Sequence, residues 1–447
     1  MLRNFSNNFK MEENSQLPSI PLLSGQADKS FALTDDVSNI LDEPVFDIPV
    51  PGNSSMVGCV EILLNTALGS GTLMVPYCYT TGMVAAILIS VLFAIIGYFA
   101  LDLMIESSYY CKKYDYRGLF AHTFGKNRLW IVNVMIAIVQ FGACTIYCHW
   151  NGRLISHVVN SDNIIYGTNQ FWIFLTTTFL VFPLTIFRSI SSLENASLLS
   201  FCFVCFLIIH AAYCFFADLS HDGFDPEHRF VSWKFSEIMI SALSVNSMAF
   251  NCHINLFACL EHLKNCTVRR AKLLSIYTIG IAFILYNLFG TFSYLDLFDK
   301  IKEGSALEYY PQGNLFTQIT TVGVVCVLVP SAPIVIWACR NSINNLIWGT
   351  PPTNLRWVLI GGVLCLGAEL LASASDNILL FFDVVGGLFT PLLIFFMPAA
   401  FFLKNQKNAP KYKIIIAYFI AVFTIVAAAA CTYKSFKELF HTIKGTN

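Results

Sequence analysis

From Met56 onward the chain is a succession of apolar runs, each 17 to 26 residues long, with short polar intervals between them. A helix that crosses a bilayer needs about 20 such residues. Runs this closely spaced leave no room for soluble domains between them. Eleven spans are expected, near residues 56–81, 83–106, 129–150, 171–187, 195–217, 236–260, 272–295, 316–338, 356–374, 377–402 and 413–433. Charged residues make up 12% of the 447, against about 25% in ordinary soluble domains, and mean hydropathy is +0.62. The expected class is an all-α polytopic membrane protein with the lipid bilayer as its surroundings. A formal net charge of −1 gives no reason to propose a nucleic-acid partner.

Three regions follow: a tail over 1–53, a transmembrane domain over 54–433 and a short C-terminal tail over 434–447. The first tail mixes Asn, Ser, Pro and acids without an apolar period, which predicts disorder. Met1 to Lys10 lacks the uninterrupted apolar core of a signal peptide. Asp36 to Leu41 has the pattern of an acidic dileucine sorting signal, a pattern that also arises by chance in linkers. Lys and Arg divide unevenly, with 16 in the loops on the tail's side and 5 in the opposite loops. The positive-inside rule then places the N-terminus in the cytosol. Either the plasma membrane or an endolysosomal or vacuolar membrane fits. The 15 cysteines fall in predicted spans or on the cytosolic side, so no secreted disulfide framework is expected.

Two spans are too polar at their centres for plain anchors. In Ser236 to Leu260, Asn246, Ser247, Asn251, Cys252, His253 and Asn255 fall within ten positions. In Glu61 to Tyr79, Asn65 and Thr66 precede Gly69-Ser70-Gly71, and Pro76 follows. Polar groups at membrane depth are costly unless they meet a partner, a cavity or a ligand. Two such interrupted spans, half a bundle apart, point to a transporter's central site. Gly69 and Gly71 make an unwound turn cheap, and its free N–H groups, at a half-helix N-terminus, suit a carboxylate. Freed carbonyls and the Asn65 amide oxygen suit sodium. The plainer reading is a Gly-x-Gly contact between close helices. In the opposing span Phe250 is expected to close over an apolar side chain, with Asn251 and Cys252 meeting an amino group. His253 is either proton-responsive or a structural hydrogen-bonder. Cys252 and His253 point about 100° apart on a helix and make no nucleophile–base pair, so no enzyme is expected.

The eighth span carries Val329-Pro330-Ser331-Ala332-Pro333. Prolines distort the helix and release carbonyls, which the Ser331 hydroxyl joins as a sodium ligand or merely satisfies. Asp102, Glu369 and Asp383 are each either a proton carrier or, the reading favoured here, a structural acid explained by a place near a span end and pairing with basic loop residues.

Several segments together resemble the amino acid/auxin permease family, and within it the sodium-coupled neutral amino-acid transporters. Asn65 to Leu73 followed by Pro76-Tyr77 resembles that family's N-x-x-x-G-S-G-I-L…P-Y signature. Phe250-Asn251-Cys252-His253 resembles its F-x-C-H, and Leu288-Phe289-Gly290-Thr291-Phe292 its L-F-G-Y-L. Gly386-Gly387, Phe396-Met397-Pro398-Ala399 and Phe402-Leu403-Lys404 resemble its tenth span. The likeness covers about residues 53–433. It implies eleven helices, the first ten forming a LeuT-like 5+5 inverted repeat with broken first and sixth helices. It also implies that Asn65 and Ser331 hold sodium and that Gly69, Ser70 and Gly71 bind the substrate carboxylate. Ile254 stands where the family usually has proline, and Ser331 where it has threonine.

The expected function is secondary active transport of neutral or small polar amino acids by alternating access. Substrate contacts are expected from Thr66, Gly69, Ser70, Gly71, Phe250, Asn251, Cys252 and His253, cation contacts from Asn65 and Ser331. Sodium is the favoured coupling ion and no other cofactor is expected. Proton-coupled or vacuolar transport, or an amino-acid sensor signalling through its N-terminal tail, are the alternatives.

Overall fold

The computed structural model describes residues 46, 52–69, 71–159, 167–187, 194–222, 231–302, 304–311, 313–375, 377–406 and 409–444. Of two compact units, Met1–Glu43 lies outside these residues, and the description concerns Pro44–Asn447. Of the tail expected to be disordered over 1–53, residues 1–45 and 47–51 fall outside the described residues, as do the dileucine-like stretch and the role of Ser70. Phe46 departs from the expectation, buried and donating its N–H to the Cys266 carbonyl at 3.1 Å.

The chain forms helices α1 (Met56–Ala67), α2 (Gly71–Cys78), α3 (Met83–Cys111), α4 (Tyr116–Phe124), α5 (Leu129–Val159), α6 (Asn169–Thr176), α7 (Phe182–Thr185) and α8 (Glu194–Asp222). It continues through α9 (Ile238–Ala249), α10 (Leu256–His262), α11 (Val268–Leu297), α12 (Leu315–Ile347), α13 (Asn354–Ala374), α14 (Ile378–Phe381), α15 (Met397–Asn405) and α16 (Lys411–Lys444). π-helical turns join α6 to α7 and α14 to α15. Polar residues outside the apolar runs start several of these helices by accepting from an otherwise orphaned backbone N–H. Ser55 accepts from Gly58, Thr267 from Arg270 and Asn314 from Phe316.

Among the described residues, eight helices are long and apolar enough to cross a membrane, or nine if α1 and α2 count as one bent span. The eleven expected runs differ at two further places. The fourth is the short succession α6, π turn and α7, and the sixth is split into α9 and α10 by residues 250–252. Several helices also outrun their apolar cores. Arg340 lies within α12, 1% exposed, because its guanidinium donates to the Thr185 carbonyl at 3.0 Å and covers the Trp357 ring at 4.1 Å. The last helix likewise continues through Lys434, although the apolar run ends near residue 433.

Both interrupted spans are held from outside. Before α1, Ser54 donates its N–H to the His262 carbonyl at 2.8 Å, and Lys264 donates back to Ser54 at 3.0 Å, tying the start of one to the end of the other. The partner halves α2 and α9 pack on each other. At their crossing Gly71 lies so close to Ala249 that an added Cβ would stand 2.7 Å from the Ala249 Cα. Only glycine allows that approach.

Of the three acids read as structural, Asp102 and Asp383 are paired with lysines, whereas Glu369 on α13 accepts from the Thr178 hydroxyl at 3.2 Å. Asp102 accepts from Lys272 at 2.8 Å and from Lys413 at 3.0 Å, and Glu106, one turn on, meets both lysines. Asp383, on the π-helical stretch Phe382–Phe389, accepts from Lys434 at 2.6 Å and from the Ser241 hydroxyl at 3.0 Å. This pair joins α9, the π-helical stretch and α16. Removing one member of a buried ion pair strands the other charge, at a cost of about 3–5 kcal/mol, whereas replacing both with apolar groups is often neutral. Lys434→Met is therefore expected to lower unfolding stability in detergent by that amount. The double variant Asp383→Leu/Lys434→Met should recover more than half of the loss, and a double variant no better than the single one contradicts this pairing.

Between α11 and α12 the turn Ala306–Glu308 is buried against α2 and α5. Glu308 accepts from Arg153 Nε at 2.8 Å, with His157 at 4.0 Å. Burial, opposed by Arg153, pushes the Glu308 carboxyl up from 4.5 to about 7. The folded protein then holds this proton more tightly than the unfolded chain. Its contribution to stability is full below pH 4.5 and is lost as pH rises to about 7. Melting temperature should fall across that window, and Glu308→Gln should flatten the fall; an identical pH profile in the variant contradicts this.

Candidate substrate and cation site

The site starts from what a broken helix leaves behind. The last carbonyls of a half-helix have lost their i+4 donors and in a membrane must find others. In the first interrupted span, α1 ends at Ala67 and α2 resumes at Gly71 with a bend of 62°. Thr72 donates to the Gly69 carbonyl at 3.2 Å as the chain turns into α2. In the second, Phe250 still donates to Asn246 at 3.0 Å. The ladder then fails: Asn251 donates to Met248, Cys252 to Phe250, and a 3-10 turn over His253–Asn255 leads into α10. Ile254 in place of proline has not kept the helix whole, because the break lies at 250–252, upstream of it.

The Tyr286 hydroxyl, from α11, reaches both ends. It lies 2.6 Å from the Ala67 carbonyl and 2.8 Å from the Ala249 carbonyl, within donating distance of each.

A cavity opens beside the two breaks. Asn65, Thr66, Gly69 and Gly71 line it from the first span, Asn251 and Cys252 from the second, and Ser331 from α12. The structure thus gathers seven of the ten expected contact residues around one space. It does not bring Phe250 and His253 there. Phe250 is fully buried with its ring edge-on to Tyr286 at 5.3 Å. His253 turns the other way, with Nε2 3.1 Å from the Gly97 carbonyl and its ring against Phe395 at 5.6 Å.

Sequence reasoning passed over Gln140 and Tyr147, which line the cavity from α5, and Met248, Ile334 and Val335; Asn255, named there as a polar residue of the sixth span but not as a contact, lines it too. Gln140 had a signal, an amide inside an apolar run, which is the property that marked Asn251. Tyr147 had none, since tyrosine is common in apolar spans. Its hydroxyl closes on Gly69, where an added Cβ would stand 2.5 Å from it. None of the residues lining the cavity carries a charge. The site offers amides, hydroxyls and backbone groups, with Met248, Ile334 and Val335 as an apolar wall.

On α12, Pro330 and Pro333 have no N–H to give the carbonyls of Cys326 and Val329. The Ser331 hydroxyl donates to Val327 at 2.8 Å, which leaves its lone pairs available. Ser331 and Asn65 border the same cavity from two different elements.

A family model described as transmembrane amino acid transporter protein matches residues 52–437. Solute carrier family 38 member 10 of Mus musculus is 23% identical over 386 residues, 81% of this chain and 34% of that protein. The chain thus spans about a third of the length of that relative. Putative sodium-coupled neutral amino acid transporter 11 of Danio rerio is 25% identical over 370 residues, 80% of each chain. Among solved structures, MhsT in complex with L-phenylalanine, a LeuT-like fold, matches with a TM-score of 0.60 at 12% identity, covering 86% of this chain and 99% of that one. At that identity the likeness speaks for the fold alone. The relatives are transporters and not enzymes. Matched over most of its length, this integral membrane protein belongs to the transmembrane amino acid transporter family, the amino acid/auxin permeases.

Proposed function

We propose that the protein is a secondary active transporter of neutral or small polar amino acids, working by alternating access with sodium as the coupling ion. The observation that carries this reading is the uncharged, amide-lined cavity at two helix breaks. An amino acid with a neutral side chain is a zwitterion. It needs donors for its carboxylate and acceptors for its ammonium, but no net charge from the protein. A half-helix N-terminus at Gly71 supplies the first through its free N–H groups. The interruption over 250–252 and the Asn251 amide supply the second. Thr66, Cys252 and the backbone at Ser70 complete the proposed contacts. Phe250 and His253 act one layer behind, holding the break.

Sodium is proposed at Asn65 and Ser331, as a co-substrate that neutral oxygen ligands fit. The Danio rerio relative carries sodium coupling in its name, which supports the choice. In this reading eleven spans, ten of them in a 5+5 inverted repeat, rock about the midplane, with the tied ends at Ser54 and His262 on one side of the site. The alternative couplings and the sensor reading gain no specific observation from the structure.

The test is uptake of labelled neutral amino acids by the purified full chain in liposomes under imposed sodium or proton gradients. Sodium-driven uptake is expected. Asn65→Ala and Ser331→Ala should each raise the sodium concentration for half-activation at least tenfold without lowering the amount reconstituted. Unchanged sodium activation in both variants overturns the cation assignment, and no gradient-driven uptake by the unsubstituted protein overturns transport.

A further inference from the structure

Among the described residues, Tyr286 is bonded to backbone carbonyls on both interrupted spans. Ala67 and Ala249 are the last helical residues before the two breaks. In unbroken helices their carbonyls would accept from the N–H groups four residues on. Both have lost those donors, and the phenol hydroxyl replaces them at 2.6 and 2.8 Å. Tyr286 is 1% exposed, and Phe250 stands edge-on to its ring. The hydroxyl therefore has little freedom to turn elsewhere.

Two facts place this contact beside the site but not in it. Ala67 and Met248 border the cavity, while Tyr286 does not. The backbones it bridges are already in contact, Gly71 against Ala249. Moving either end would change the width of the space between Gly69 and Asn251.

We propose that Tyr286 is a positioning residue, a clamp whose single hydroxyl holds the two half-helix ends together and so sets the width of the amino-acid cavity. This rests on the transport reading given above. One O–H carries one proton, so two carbonyls share one donor. Parting the ends then breaks a shared bond rather than two full ones, and the hydroxyl stays with one end while the other carbonyl is released. A contact of that kind can open and re-form in each cycle. It also occupies two half-helix C-terminal carbonyls of the sort that discontinuous helices offer to coupling cations, which leaves cation binding to Asn65 and Ser331.

The experiment compares Tyr286→Phe with the unsubstituted full chain in proteoliposomes by two readouts. The KM for a neutral amino acid should rise about tenfold, with kcat changed less than threefold. A merely structural role would lower the amount of folded protein and leave KM alone. The second readout needs no transport: alkylation of Cys252, 1% exposed at the cavity wall, followed by mass spectrometry. Its rate should rise at least fivefold in the variant. If the unsubstituted protein takes up no amino acid, the transport reading fails, and the alkylation rate still decides whether the clamp exists. An unchanged rate overturns the clamp, as does an unchanged KM in a protein that transports. Should Tyr286→Phe not fold, fluorinated tyrosine at position 286 keeps the ring and donates more strongly. Slower alkylation than in the unsubstituted protein then supports the clamp, and an unchanged or faster rate overturns it.

Discussion

Backbone groups released inside a membrane must be met by something, and the centre of this protein is organised by that requirement. Lipid offers no hydrogen bonds, so each orphaned carbonyl or N–H there costs several kcal/mol. The chain breaks two helices where they touch, Gly71 against Ala249, and the freed groups share their partners. A tyrosine hydroxyl from a third helix caps Ala67 and Ala249 together, and glycine at position 71 lets the two backbones meet. The remaining polar groups, amides on three elements among them, face a common space. An unbroken helix at either place would bury its backbone groups in its own ladder and leave nothing to bind a zwitterion.

The surrounding bundle keeps the breaks where they are. At one end the strand-like contact between Ser54 and His262 pins the first span to the second. On the other side of the break, the Lys434–Asp383 pair, joined by Ser241, attaches α9 to its neighbours at its own start. Asp102 and Glu106 with Lys272 and Lys413 do similar work between α3, α11 and α16. Charges are costly within the bundle; here Asp102, Glu106 and Asp383 lie against lysines, which makes the contacts directional where lipid-facing leucines cannot be.

Much of this was legible in the sequence because lipid makes composition decisive. Runs of apolar residues announce spans, and Gly69, Gly71 and the amides of 246–255 announced the interruptions even with Ile254 where relatives of this kind usually carry proline. What was not legible depended on pairs distant in the chain. Arg340 and Lys434 looked like loop and tail residues until Trp357 and Asp383 were seen beside them. Helix rotation was equally hidden. Across the non-helical stretch 250–252 and the turn after it, Asn251 and Cys252 reach the cavity while Phe250 and His253 face away, which no helical period predicts. Gln140 and Tyr147, seven positions and about two turns apart on α5, share a face that only the packing of α5 reveals. Tyr286 carried no local mark at all, since its role exists only where three helices meet.

The central claim is that the two interruptions jointly hold one amino acid. An experimental structure of the full chain in lipid nanodiscs, determined with and without a saturating neutral amino acid, tests it most directly. The account predicts added density between Gly69–Gly71 and Asn251, with both helices broken where they are broken here. Ligand density elsewhere, or continuous helix through residues 68–70 or 250–252, would contradict it.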